Sequence, residues 1–395
     1  MNILVVGNGF DLAHGLPTKY TDFLKFVQII RQIISMQNGL ELSNVDWKDI
    51  NPQLKDLIKN NICNVKGNLF SQERIWKELL DNNFWIDYFL QCPMYQKENW
   101  IDFENEISKI IKTLDKARRL IVKEQDVNSI LDSRKIIIRE ILEVAKKRAN
   151  DILGSVGKID KFIGILERDL KRLIRALEIY LLDYVEKIEC NIISPDIENI
   201  QFCKVLSFNY TNTFTKLYDT KESAKYDYIH GRADSKHTID TNNMILGIDE
   251  YLTKKRKNKE TSFIAFKKFY QRIYKGTGCK YKNWIEDICL DKSGKELKTG
   301  YDENGQKVLV SKPVPNHNIY IFGHSLDVTD KDILRDLILQ DNIYTTIFYL
   351  NKEVMGQQIA NLVKVIGQDE LIKRTGGSKK TIEFKSQQDM VERRQ

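Results

Sequence analysis

Gly7-Asn-Gly-Phe-Asp11 is the first place in this chain where residue type and spacing could do chemistry. It follows Ile3-Leu-Val-Val6, a short apolar run that reads as a buried parallel strand. A strand that breaks into Gly-x-Gly and opens a helix is built to cradle a phosphate. Gly7 permits the tight turn, Gly9 lets the backbone approach a ligand, and the helix start supplies N–H groups and the positive end of a dipole. The same spacing also suits a plain strand-to-helix turn, so other residues must join it at one site.

Three further polar clusters fall where apolar runs end. Ser207-Phe-Asn-Tyr-Thr211 closes Phe202–Phe208, His230-Gly231 closes Tyr226–Ile229, and Gly323-His-Ser-Leu-Asp327 follows Ile319–Phe322. Open α/β sheets bind ligands at the carboxyl ends of their strands, where these clusters would lie. An Asn there orients a polar group or caps a turn. A His there titrates near neutrality and suits a base, although a lone His also serves as a satisfied structural residue.

The elements that must position these clusters form an α/β pattern. Strands are expected at Ile3–Val6, Phe202–Phe208, Tyr226–Ile229, Met244–Ile248, Ile319–Phe322 and Tyr344–Leu350, with Thr381-Ile-Glu-Phe384 as an edge strand. Together they predict a mostly parallel, Rossmann-like sheet built from residues 1–24 and 202–366. Residues 25–201 read as a large helical insertion. Ile163, Leu166, Leu170, Leu173, Leu177, Leu181, Tyr184 and Ile188 step by three or four, an amphipathic stripe suited to a bundle core or to contact between copies of the chain. Trp76, Trp85 and Trp100 are expected to anchor that unit. Residues 367–395 read as a polar tail.

Lys254–Lys282 holds eleven Lys or Arg and the single acid Glu260, with aromatic residues interleaved. That mixture suits single-stranded RNA. It also suits an amphipathic helix carrying Phe263, Phe266, Tyr270 and Tyr274 on one face and a solvated basic side.

The whole chain sets wider bounds. Its 395 residues suffice for two structural units, and 42% hydrophobic with 30% charged residues argues against global disorder. A net charge of +7 is compatible with anionic ligands and selects none. No apolar run reaches the ~18 residues of a membrane span, and no secretory leader is visible, so a cytoplasmic protein without membrane contact is expected. Six widely spaced cysteines, with no C-x-x-C pair, predict reduced core residues and no zinc site. No phosphate-loop lysine motif occurs, and the five histidines lack metal-ligand spacing. Gly323-His-Ser-Leu-Asp327 also looks like a nucleophile elbow, but Asp327 replaces the closing Gly and no His follows His324 to complete the triad.

In their order along the chain the four clusters resemble the sirtuin-type Rossmann domain. They more closely resemble the AbiH family of bacterial phage-resistance proteins, over residues 1–24 and about 202–350. The resemblance implies a site for NAD or a related adenine dinucleotide, with NAD as the substrate and no further cofactor. Asn209 would orient the ribose or the attacking water, and His230 would be the general base. Gly7 and Gly9 would hold the diphosphate, and Ser325 the adenosine end. Asn8, Phe10, Asp11, Thr211, Gly323 and Asp327 would complete the binding surface. Sirtuins carry Ala and Ser where this chain has Asn8 and Asp11, and an Asp where it has Thr211. A carboxylate at Asp11 can bond a ribose hydroxyl but repels a phosphate placed too close. The four-cysteine module of protein deacylases is absent, which disfavours deacylation. The implied function is antiphage defence by NAD hydrolysis. A nucleotide sensor without catalysis and an RNA-targeting toxin stand as alternatives.

Overall fold

The computed structural model describes residues 1–36, 42–63, 68–98, 101–124, 155–291, 295–313, 316–377 and 380–393. The chain divides into two compact units. One comprises Met1–Leu16, Cys190–Arg232 and Thr277–Gln395; the other comprises Pro17–Glu189 and Ala233–Gly276.

The first unit is α/β. Its main sheet has six strands, β1 (Asn2–Val6), β2 (Lys204–Ser207), β3 (Lys225–Tyr228), β4 (His317–Phe322), β5 (Ile343–Tyr349) and β6 (Ile382–Ser386). They lie in the order β3-β2-β1-β4-β5-β6, and every neighbouring pair is parallel. Alternation along β1 shows why the run is apolar throughout. Ile3 and Val5 join one core with Leu206, Ile319, Ile321 and Ile347, while Leu4 and Val6 join a second with Phe10, Val205, Phe322 and Phe348. A parallel sheet covered on both faces needs apolar side chains at every position. The expected edge strand is β6. Beyond residue 366, where a tail is expected, the chain also forms the helix Gln368–Thr375.

Because all six strands run the same way, their carboxyl ends share one edge. From β1 the chain runs outward through β2 and β3 on one side and continues with β4 on the other, so the turns after β1 and β4 meet where the strand order reverses. They meet backbone to backbone. The Gly9 N–H donates to the Gly323 carbonyl at 2.8 Å, and the Gly7 N–H donates to that of Phe322 at 3.1 Å. A Cβ on Gly323 would lie 2.0 Å from the Phe10 nitrogen, and its φ of +69° is itself left-handed.

The second unit is helical. The stripe expected from Ile163 to Ile188 is buried along its whole length, on the helix Val156–Asp183 and around the short turn Val185–Lys187 that follows it. Trp76 and Trp85 are fully buried, and Trp85 Nε1 donates to the Leu166 carbonyl; Trp100 lies outside the described residues.

Two expectations fail in this unit. Met244–Ile248 is buried but forms no strand beyond one isolated bridge between Ile248 and Lys267. The Gln271 side chain takes both the N–H and the carbonyl of Leu246, and Lys275 takes the Met244 carbonyl. Side chains thereby satisfy the backbone groups that a neighbouring strand would otherwise pair. The expected single helix across 263–274 is broken at Lys267, whose backbone is extended between the short turn Ile264–Phe266 and the helix Lys268–Lys275. Its basic side is not simply solvated. Lys267 pairs with Glu250, Lys268 with Glu104, and Arg256 grips Asp115 with two bonds.

The cysteines also differ from expectation. Cys92 is buried and Cys190 half-buried, but Cys203, Cys279 and Cys289 are exposed, and all five are free thiols.

Glycine substitutions test the crossing of the two turns. Gly323→Ala combines a left-handed backbone with a backbone clash and should cost at least about 2 kcal/mol. Gly164→Ala, in the long helix with no atom near its Cβ, should instead stabilise by roughly 0.5–1 kcal/mol. Denaturant unfolding of the two variants checks the contrast.

Candidate functional site

Two polar centres form at the carboxyl edge of the sheet. The first gathers Asp11, Asn209 and Thr211. β1 and β2 are paired through Val6 and Ser207, and the Phe208 N–H donates to the Val6 carbonyl, so Asn209 leaves the sheet beside the glycine turn. Its Nδ2 donates to the Gly7 carbonyl at 3.0 Å. Thr211 donates its hydroxyl to Asp11 Oδ2 at 2.6 Å, and Thr213 donates to the Thr211 oxygen at 3.2 Å. This line of hydroxyls determines which oxygen of Asp11 is satisfied. The other, Oδ1, is buried with no hydrogen-bond partner, as is Asn212 Oδ1. Both residues line one small cavity of about 10 Å³, with Val6, Val205 and Phe214 as its apolar walls. Burial in these surroundings raises the Asp11 carboxyl from 3.8 to about 6, against the opposing pull of the Thr211, Thr213 and Asn209 hydrogen bonds.

The second centre gathers His230, His324 and Asp330, all buried. His230 Nε2 lies 3.4 Å from Asp330 Oδ1, and His324 Nε2 lies 3.5 Å from Asp330 Oδ2. Phe208 packs edge-on against both imidazoles. The tautomer of His324 follows from its other nitrogen, because Nδ1 accepts the Leu326 N–H at 2.9 Å. In the neutral ring the proton then sits on Nε2, pointing toward Asp330. A protonated Nε2 is unsuited to ligate a metal ion. No group of three or more His, Cys, Asp or Glu among the described residues is arranged to hold one. The turn that carries these groups is itself constrained: Gly323 and the fully buried Leu326 both have positive φ, +69° and +59°. A buried Leu in that conformation is strained and persists because the surrounding packing holds it.

The other expected site residues divide by burial. The Phe10 ring is fully buried among His14, Phe214, Tyr218 and Phe322 and serves the core. Gly7, Gly9 and Gly323 form the backbone crossing, and the N–H groups of the first two are already bonded across it. Asn8 and Ser325 are exposed, and the Ser325 carbonyl is held by Asn361. Asp327 caps the short turn Val328–Asp330 by accepting the Thr329 N–H. Sequence reasoning missed Asn212, Thr213, His324 and Asp330. His324 sits inside a cluster already singled out, so its position at a strand end was a usable signal. Asp330 gave none.

The raised carboxyl makes a stability prediction. The folded chain holds the Asp11 proton up to about pH 6, whereas the unfolded chain loses it near 3.8. Burial therefore costs nothing below pH 4, and stability falls as pH rises through 6. Asp11→Asn keeps an acceptor for Thr211 and has no charge to bury. Its stability relative to wild type should improve between pH 4 and pH 8 by up to about 3 kcal/mol. Urea unfolding across that range measures the gap; a gap independent of pH would contradict the burial cost.

No curated protein matches the chain. The family model described as bacteriophage abortive infection AbiH matches residues 3–350, spanning β1 through β5 and every polar cluster at the sheet edge. The chain belongs to the AbiH family of bacteriophage abortive infection proteins.

Proposed function

We propose that this protein is an abortive-infection effector that hydrolyses NAD to nicotinamide and ADP-ribose on a sirtuin-like Rossmann core. The strand order β3-β2-β1-β4-β5-β6 supports a dinucleotide reading, since it is the order of the doubly wound dinucleotide-binding fold. The observation that carries the reading is that Asn209, His230 and Asp330 follow the carboxyl ends of β2, β3 and β4 in one parallel sheet, with His230 paired to Asp330.

Cleaving the nicotinamide–ribose bond passes through a cation-like sugar. The reaction needs a polar group to orient the ribose and a base for a hydroxyl or water. Asn209 is held against the Gly7 carbonyl and takes the first role. His230 takes the second, with Asp330 orienting its ring and stabilising the imidazolium that forms. The glycine N–H groups are occupied by the crossing, so the diphosphate contact falls to exposed Asn8 and to the close backbone approach that Gly7 and Gly9 permit. Asp11 and Thr211 stand beside the ribose, while Ser325, Gly323 and Asp327 face the adenosine end. Cofactor loss in an infected cell would then halt phage growth.

A second reading draws on the helical unit. Tyr270 and Tyr274 stack with ring centroids 5.7 Å apart, and Tyr274 is exposed together with Lys255, Lys257 and Lys259. Stacked tyrosines and free lysines suit single-stranded RNA.

Incubation of the purified protein with NAD, following nicotinamide release by chromatography, separates these readings. Wild type should release nicotinamide, and His230→Ala and Asn209→Ala should each lose at least about 100-fold. Release unchanged in both variants would contradict the proposed roles. Absence of release with salt-sensitive RNA binding, lost when Lys255, Lys257 and Lys259 are neutralised, would favour the second reading.

A further inference from the structure

We propose that Asp11 and Asn212 hold a single water in the cavity between them, and that Asp11 is the base that activates this water to attack the ribose. The second half of the proposal rests on the NAD-hydrolysis reading and divides its chemistry. His230 would serve the ribose hydroxyl, and Asp11 the incoming water.

The water site follows from hydrogen-bond matching. Thr213 donates to Thr211 and Thr211 donates to Asp11 Oδ2, so the hydroxyls are aimed at one oxygen and leave Oδ1 to another donor. Asn212 Oδ1 is a second buried acceptor without a partner on the same cavity. Two acceptors facing a volume of about 10 Å³ match one water with its two hydrogens. The cavity lining contains no Lys, Arg or His to take the donor role. Hard metal ions require about six oxygen ligands, more than these two open oxygens supply.

Two buried carboxylates of the helical unit are fully partnered. Asp169 accepts the Phe84 N–H and bonds from Arg168 and Arg172. Glu178 meets Arg175, His237 and the Asp234 N–H. Asp11 departs from that pattern, and a buried carboxylate that titrates near neutrality suits a general base. Asn209, which orients the ribose in the proposed reaction, lines the same cavity.

The water oxygen bonds to C1′ of the nicotinamide ribose as one of its protons passes to the Asp11 carboxylate. The C1′–N bond breaks with its electron pair going to the nicotinamide nitrogen, which leaves neutral. Asp11 then returns the proton to solvent.

Two measurements test the proposal. The first needs no turnover: a crystal structure at high resolution should show one water within about 3.2 Å of both Asp11 Oδ1 and Asn212 Oδ1. Direct contact between the two side chains, or a dry cavity, would overturn the water site. The second compares Asp11→Asn with wild type. The variant should bind NAD and fold normally but release nicotinamide at least about 100-fold more slowly. Azide attacks without losing a proton, so it should restore release in Asp11→Asn and leave Asn209→Ala inactive. Undiminished release in Asp11→Asn, or failure of azide to restore it, would overturn the base role. A wild type that releases no nicotinamide would instead sink the glycohydrolase reading, and the base role with it, while the crystallographic result would still decide the water site.

Discussion

Close contact between the backbones of two turns is the constraint on which the sheet edge depends. β1 and β4 are adjacent parallel strands, and the chains leaving them would collide if either carried side chains at Gly7, Gly9 or Gly323. Glycine lets them bond instead, with the Gly9 N–H on the Gly323 carbonyl. Asn209 and His324 are held directly against that crossing. The Gly7 carbonyl receives Asn209, and the ideal Cβ position of Gly7 falls 2.7 Å from the His324 Cα. Asp11 follows within the same first helix, Asn8–Ala13. The glycines therefore serve first as packing residues. Any ligand contact they make is a consequence of how closely the backbones run.

The edge then separates two kinds of electrostatic environment. Around Asp330, one carboxylate faces two imidazoles at 3.4 and 3.5 Å. Around Asp11 burial among neutral groups disfavours charge on the carboxylate, and hydrogen bonds from Thr211, Thr213 and Asn209 offset it only in part. One edge of the sheet thus carries two buried polar centres of different character, a carboxyl raised by burial and an imidazole–carboxylate cluster.

How much of this was legible in the sequence depended on whether the information was local. β1, β2 and β4 could be read because strands buried on both faces must be apolar throughout. The polar clusters could be read because parallel strands bring their carboxyl ends together, so position at a strand end already implies the edge. Met244–Ile248 has the same local signal as a buried strand. Its fate was decided by Gln271 and Lys275, which no local pattern reveals. Phe10 reads as a site residue only through its place in the glycine turn; the first turn of the helix aims its ring into the core. Asp330 lies one hundred residues from His230, and their pairing exists only because β3 and β4 share a sheet with β1 and β2 between them.

Hydrogen exchange with and without NAD measures the central claim most directly, because it reports where on the chain a dinucleotide rests. NAD should slow exchange in residues 7–16, 207–213, 229–232 and 323–330, the four turns of one sheet edge. Exchange unchanged in those segments at saturating NAD, or protection confined to residues 254–282, would contradict it.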